Sequence, residues 1–168
     1  MKIIKLTQGF ETIVDDKHYD ELSKYNWIAN HNKSRQSMPR AIRVYKTQDG
    51  KQKDVKMHRF IMELEGHNIK GLTIDHKNGN KLDNRVENLR VATTGQNNRN
   101  VIKRGNNTSG YKGVHWDKKS QKWISRIRIG GGQRLTLGKF SNKEDAAKAY
   151  NEAALKYHGE FANLNKVK

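Results

Sequence analysis

Asp75 and His76 follow a short apolar run, Leu72-Thr73-Ile74, and two amides lie downstream of them at Asn88 and Asn97. Histidine titrates near neutrality, so His76 can draw a proton from water as a general base. Asp75 offers a hard carboxylate oxygen and Asn97 a neutral amide oxygen, a pair that suits a divalent cation able to keep several waters. Mg²⁺ fits that description, with Mn²⁺ as the alternative. Asn88 can hold the imidazole through its other nitrogen or brace the intervening loop. An activated water and a cation to clamp a phosphate are what phosphodiester hydrolysis requires. Taken singly, an Asp-His pair in a polar loop is an ordinary solvated feature, and Asn88 and Asn97 are ordinary turn or helix-surface amides. The set at this spacing carries the reading.

The elements that must position these groups are legible around them. Ile74 closes a short strand, a loop rich in Asn78, Gly79, Asn80, Asp83 and Asn84 follows, and Leu89-Arg90-Val91-Ala92 makes a second strand. Thr94 to Asn100 can form a helix, with Thr93 or Thr94 as its cap. Strand, loop, strand and helix can gather Asp75, His76 and Asn97 around one point. The string DHKNGNKLDNRVENLRVATTGQNNRN resembles the HNH endonuclease ββα-metal motif, in the variant with Asn at the third position that is typical of phage and intron homing endonucleases. MHRFIM, Met57 to Met62, resembles the helix that precedes the motif in those enzymes. The resemblance implies His76 as general base, Asp75 and Asn97 as metal ligands, and Asn88 as the residue that orients His76. His58 and Arg90 are the candidates to touch the substrate phosphate.

Charge points the same way. The 168 residues carry 34 Lys+Arg against 17 Asp+Glu, a formal net charge of +17. So large an excess predicts a polyanionic partner, because each neutralised phosphate releases a counterion. Charge alone does not separate an enzyme from a passive binder. A hydrophobic content of 33% and a mean hydropathy of −1.03 suit two small modules better than one large core. There is no cysteine, which excludes disulfides and thiolate-held zinc. No apolar run reaches membrane-spanning length and the N-terminus lacks a signal-peptide core, so a cytoplasmic protein is expected, in a bacterial host if phage-encoded.

The pattern predicts an α+β chain in four parts. Residues 1–56 read as a small antiparallel β region, with an Asp49-Gly50 hairpin turn and a helical turn near 16–24. Residues 57–100 hold the HNH module, and 101–109, VIKRGNNTS, read as a basic linker. Residues 110–168 read as a three-stranded antiparallel sheet on one helix. Its strands are YKGVHWD, KWISRIRI and RLTLGKF, and the Gly130-Gly131-Gly132 run separates the last two. Ser141 and Glu144 are expected to form a capping box, Ala146, Tyr150, Ala153, Ala154 and Tyr157 to recur along the helix, and Gly159 to end it.

Strand alternation puts Trp123, Ser125, Ile127 and Ile129 on the face toward that helix, and Ile124, Arg126 and Arg128 on the other. Arg134 and Thr136 of the last strand are expected to point the same outward way. Three arginines on one sheet face can enter a major groove or pair with phosphates. The span from Ser109 to Asn165 resembles the plant ethylene-response-factor DNA-binding domain, the AP-two domain, through its AAKAYNEAA helix and closing FANLN. That resemblance places DNA contacts on Lys112, His115, Arg126, Arg128, Arg134 and Thr136. His115 stands where the family usually has arginine, Arg126 where it has glutamate and Thr136 where it has tryptophan, so base preference does not transfer. The order of parts resembles phage-encoded homing endonucleases. It implies a metal-dependent nuclease that binds double-stranded DNA, without a small-molecule cofactor, as a monomer. The alternative is a non-catalytic DNA-binding regulator on an HNH scaffold.

Overall fold

Short apolar runs broken by turn residues can make only short elements. The computed structural model describes residues 1–31, 38–100 and 107–167, and among them lie ten β-strands and four α-helices. The chain is of mixed α+β type and divides into two compact units, Met1–Thr93 and Thr94–Lys168.

The first unit opens with an antiparallel hairpin, β1 (Lys2–Lys5) and β2 (Glu11–Val14), in which Ile4 pairs with Thr12. α1 (Asp16–Ser23) follows and buries His18 and Leu22. A three-stranded antiparallel sheet comes next, in the order β3 (Ile28–Asn30), β4 (Arg40–Lys46), β5 (Gln52–Lys56). Gly50 turns the chain between β4 and β5 at φ +78°, donating its N–H to the Thr47 carbonyl at 2.9 Å. α2 (Met57–Leu64) starts directly after β5 and buries Met57, His58, Ile61 and Met62, the spacing of one helix face. That face meets Leu6, Val14, Leu22, Trp27 and Ala41 in a single core. β6 (Thr73–His76) and β7 (Leu89–Ala92) form an antiparallel pair, and Ile74 and Leu89 enter the same core. The residue before Asp75 therefore anchors the strand that carries it.

The second unit begins with α3 (Thr94–Asn100). The division of the chain thus falls ahead of the expected 101–109 linker, of which 101–106 lie outside the described residues. Lys112 Nζ donates to the Arg99 carbonyl, and Asn163 Nδ2 donates to the Asn100 carbonyl at 2.9 Å, so the last turn of α3 is held by its own unit. β8 (Val114–Asp117), β9 (Lys122–Arg128) and β10 (Arg134–Phe140) make an antiparallel sheet in the order β10-β9-β8. The register shifts between Thr136 and Gly138, a bulge at Leu137.

α4 (Lys143–His158) lays Ala146, Ala147, Tyr150, Ala153 and Ala154 against this sheet, where they meet Val114 and Ile127. The small side chains let helix and sheet approach closely. At Gly113, φ +79°, a Cβ would stand 2.1 Å from the Tyr150 ring. The expected Ser141–Glu144 capping box is not formed. Asn142 caps α4 instead, its Oδ1 accepting from Asp145 N–H at 2.8 Å while its Nδ2 donates to Asp145 Oδ2 at 2.7 Å. A related closure occurs one residue later, because asparagine caps as well as serine, with Asp145 answering the side-chain amide of Asn142 where a capping box would answer its backbone N–H.

Candidate active site and nucleic-acid interface

Asp75 and Arg90 are direct partners across β6 and β7, so their side chains leave the same face. Arg90 Nε and Nη2 both donate to Asp75 Oδ2, at 2.9 and 2.7 Å. The guanidinium proposed from the sequence for a substrate phosphate is thus turned to the carboxylate. His76, one residue on, leaves the opposite face. Its Nε2 lies 3.2 Å from Asn84 Oδ1, and its ring meets that of His58 edge-on with centroids 5.1 Å apart. Asp75 is 5% exposed, His76 6% and Asn84 1%.

The loop from 77 to 88 is built by amide side chains where regular structure is absent. Asn78 Oδ1 accepts from Asn80 N–H at 2.8 Å, and Asn80 Oδ1 accepts from Leu82 N–H at 3.1 Å. Asp83 gathers Arg85 Nε and Nη2 at 2.8 Å each and Asn78 Nδ2 at 2.9 Å. These bonds, the Arg85 fork first, hold the Asp83 carboxyl below its usual range. Asn88 Oδ1 accepts from Asn78 N–H at 3.0 Å and its Nδ2 donates to the Asp83 carbonyl at 2.7 Å. Of the two roles open to Asn88, this is the bracing one. The amide on the imidazole is that of Asn84, which the sequence marks only as one more loop asparagine.

Burial pushes the His58 imidazole down to about 2, with His76, Arg40, Lys56 and Arg59 repelling the added charge. Burial also lowers His76, against the pull of its Asn84 bond and Asp75, and Arg40 and Lys81 add to the lowering. Lys81 is itself lowered, by burial and then by Arg40. Both imidazoles are therefore neutral at ordinary pH, with Arg40, Lys56 and Lys81 around them. Arg40 and Lys56 come from β4 and β5, in the N-terminal β region that precedes the motif. Arg43 is committed elsewhere, its guanidinium 3.9 Å above the Tyr25 ring and 5.1 Å from that of Phe60. Lys33 and Arg35, the other basic residues of 1–56 that with Arg40 and Arg43 could add substrate contacts, lie outside the described residues.

Among the described residues no three His, Asp or Glu side chains converge on one point. The donor set expected here is one carboxylate and one amide, and the buried oxygen chemistry of Asp75 suits a hard divalent cation. Asn97 is half-buried on α3, in the second unit.

On the second unit, Arg128 pairs with Arg134 and Arg126 with Thr136, so the four side chains share one face of the sheet. His115 pairs with Ile124 and lies on that face. Arg128, Arg134 and Thr136 are exposed, and His115 and Arg126 are half-buried. Arg126 Nε has no hydrogen-bond partner among the described residues. Gly113, His115, Arg126, Arg128 and Arg134 line an open hollow with Asn107. Lys112 is set apart from this group, as its amine is bonded to the Arg99 carbonyl and burial lowers it to about 8. Trp116 stacks edge-on with Trp123, centroids 5.1 Å apart, on the α4 side of the sheet.

Residues 55–99 match the family model described as HNH endonuclease, and residues 109–160 match that described as AP2 domain. The chain carries an HNH endonuclease domain followed by an AP2 domain. An uncharacterized HNH endonuclease of Acanthamoeba polyphaga mimivirus is 35% identical over 115 residues, which cover 67% of this chain and 58% of that protein. Protein 3.8 of Escherichia phage T7 is 39% identical over 64 residues, 38% of this chain and 53% of the relative. In the C-terminal part, dehydration-responsive element-binding protein 2C of Arabidopsis thaliana is 46% identical over 56 residues, 33% of this chain and 16% of the relative. The chain spans a little over half the length of the first two relatives. Among the described residues no helix is long and apolar enough to cross a membrane.

Proposed function

We propose that the protein is a metal-dependent DNA endonuclease, in which the HNH domain cuts and the AP2 domain grips duplex DNA. The observation that supports this best is the state of His76, a buried, neutral imidazole bonded to Asn84 and one residue from the buried carboxylate of Asp75. A neutral imidazole held in one orientation can take the proton of an attacking water. Asp75 and Asn97 would hold the cation, Mg²⁺ first and Mn²⁺ as the alternative. When bound, it supplies positive charge to the scissile phosphate and the leaving oxygen. Arg90 fixes the plane of the Asp75 carboxylate. Arg40, Lys56 and Lys81 draw a phosphodiester toward His76, and His58 offers it a neutral N–H donor. On the AP2 domain, His115, Arg126, Arg128, Arg134 and Thr136 meet the DNA, while Lys112 stays with α3.

The motif variant and the phage and mimivirus relatives support a homing-type nuclease that works in the cytoplasm of a host cell. One HNH domain per chain makes a monomer a nicking enzyme. The test is relaxation of supercoiled plasmid by wild type and His76→Ala, with Mg²⁺ or EDTA, beside a gel shift on the same DNA. Cleavage should need the cation and fall by at least about 100-fold in His76→Ala, while the gel shift persists. A gel shift from the wild type with no cleavage under Mg²⁺ or Mn²⁺ would establish the alternative, a regulator on an HNH scaffold.

A further inference from the structure

The β1–β2 hairpin carries none of the groups proposed to touch metal or phosphate, yet one of its side chains is linked through a single amide to His76. Thr12 of β2 is fully buried. Its Oγ1 lies 2.7 Å from the Leu82 carbonyl and 2.7 Å from Asn84 Nδ2, with Met57 Sδ at 4.0 Å. A hydroxyl has one hydrogen to give. The carbonyl is a far better acceptor than a distant thioether, so the hydrogen goes to Leu82 and Thr12 Oγ1 is left to accept. The Asn84 amide must then turn its NH₂ to Thr12 and its oxygen to His76 Nε2, 3.2 Å away. An amide oxygen only accepts, so Nε2 carries the imidazole hydrogen.

The flipped amide is the poorer arrangement. Thr12 would donate to Asn84 Oδ1, Asn84 Nδ2 would donate to His76 Nε2, and the Thr12–Leu82 bond would be lost. The first arrangement keeps one more buried hydrogen bond than the second. Main-chain bonds hold the parts in place on both sides. Ile13 N–H donates to the Leu82 carbonyl at 2.9 Å, and Asn84 N–H donates to the Ile13 carbonyl at 2.8 Å.

We propose that Thr12 and Asn84 are positioning residues: the threonine sets the amide, the amide sets the tautomer of His76, and the lone pair that accepts the water proton is thereby placed on Nδ1. The opposite tautomer would aim that lone pair at Asn84. The catalytic consequence rests on His76 being the general base; the tautomer does not depend on that reading.

The experiment is a long-range proton–nitrogen correlation spectrum of the full-length protein, labelled with ¹⁵N-histidine, at a pH where the rings are neutral. The His76 signals are assigned by their loss in His76→Ala. The wild-type ring should be in the Nε2–H form. Thr12→Val keeps the shape and removes the hydroxyl. It should move His76 toward the Nδ1–H form and lower kcat for plasmid nicking about 10- to 100-fold, with KM and the gel shift unchanged. Thr12→Ser should restore both. An Nδ1–H ring in the wild type overturns the proposal without recourse to any variant, even if Thr12→Val fails to fold. A folded Thr12→Val protein with the wild-type tautomer and kcat overturns it as well. An Nε2–H ring that shifts in Thr12→Val, in a protein that never cuts DNA, supports the relay and removes the nuclease reading instead.

Discussion

The two units solve opposite problems with polar side chains. In the first, Asp75, His76, Asp83, Asn84 and Asn88 are all buried, and each is tied to a named neighbour. In the second, Arg128, Arg134 and Thr136 stand on an open sheet face. A buried polar group is costly unless its bonds are met, so the first unit surrounds its chemistry with amides and an arginine fork. A group meant for a phosphate or a base edge must instead keep its donors open to solvent until the partner arrives. Substitution in the first unit should therefore disturb fold and chemistry together. On the second unit's open face it should disturb binding alone.

The sharpest test of that contrast is Asp83→Ala. It leaves the Arg85 fork and the Asn78 amide without their shared acceptor; Arg85 stays in reach of solvent, so the loss comes from the carboxylate's hydrogen bonds and is roughly 3 kcal/mol. Calorimetry should show an early transition for the first unit and a second one near its wild-type temperature, with the gel shift retained. A single transition that moves as a whole would mean that the units are not separate in stability. Gly113→Ala is the mirror experiment. The new methyl would overlap the Tyr150 ring at 2.1 Å and the Arg126 carbonyl at 2.7 Å, at a φ of +79° that alanine resists. A loss of about 2–4 kcal/mol is expected, from overpacking plus backbone strain. It should fall on the second unit, and DNA affinity should go with it.

Arg128→Ala and Arg134→Ala come next in size. Each should weaken duplex binding by about 1–3 kcal/mol if it reads a base edge, or lower the slope of log K against log salt by about 1 if it meets a phosphate. Thermal stability should not move, because both side chains are exposed and neither closes the core. A clear drop in melting temperature for either variant would place that arginine in the structure rather than at the DNA.

Much of this contrast is legible in the sequence, and the parts that are not have a physical reason. Strand alternation alone puts Arg126, Arg128, Arg134 and Thr136 on one face, because side-chain direction repeats every two residues. The α2 face, the Asp49-Gly50 turn and the Gly159 helix stop, φ +54°, also follow from local rules. The Arg90–Asp75 pair does not, since it depends on register between strands separated by a loop. The choice of Asn84 over Asn88 as the partner of His76 depends on Thr12, which is 72 positions away. Arg40 reaches both histidines because β4 runs beside α2, a placement that no local pattern encodes, whereas Lys56 reaches His58 simply by preceding α2. Loop asparagines look alike in sequence, and only the fold decides which of them touches the imidazole.

The mildest test turns on His58. Its ordinary value is 6.5, and burial beside His76, Arg40 and Lys56 pushes it down to about 2. The unfolded chain therefore takes up a proton near pH 6.5 that the folded protein refuses until about pH 2. Between those limits the unfolded state binds more protons, so stability rises with pH. The contribution of the neutral ring is complete above pH 6.5 and is lost as the pH falls. Asp83, lowered by Arg85, and Glu21 and Glu65, lowered by lysine partners, act with the same sign but from their ordinary 3.8 and 4.5 downward, so the upper part of the interval belongs to imidazoles. One proton corresponds to at most about 1.4 kcal/mol per pH unit. His58→Gln supplies a neutral amide that cannot titrate. Urea midpoints of the first unit, followed from roughly pH 4.5 to 7, should decline less steeply in this variant than in wild type. An unchanged decline would assign the proton to another lowered imidazole, with His76 the candidate in the same unit and His115 or His158 in the other. The second unit's midpoints, read in the same titration, separate the two units.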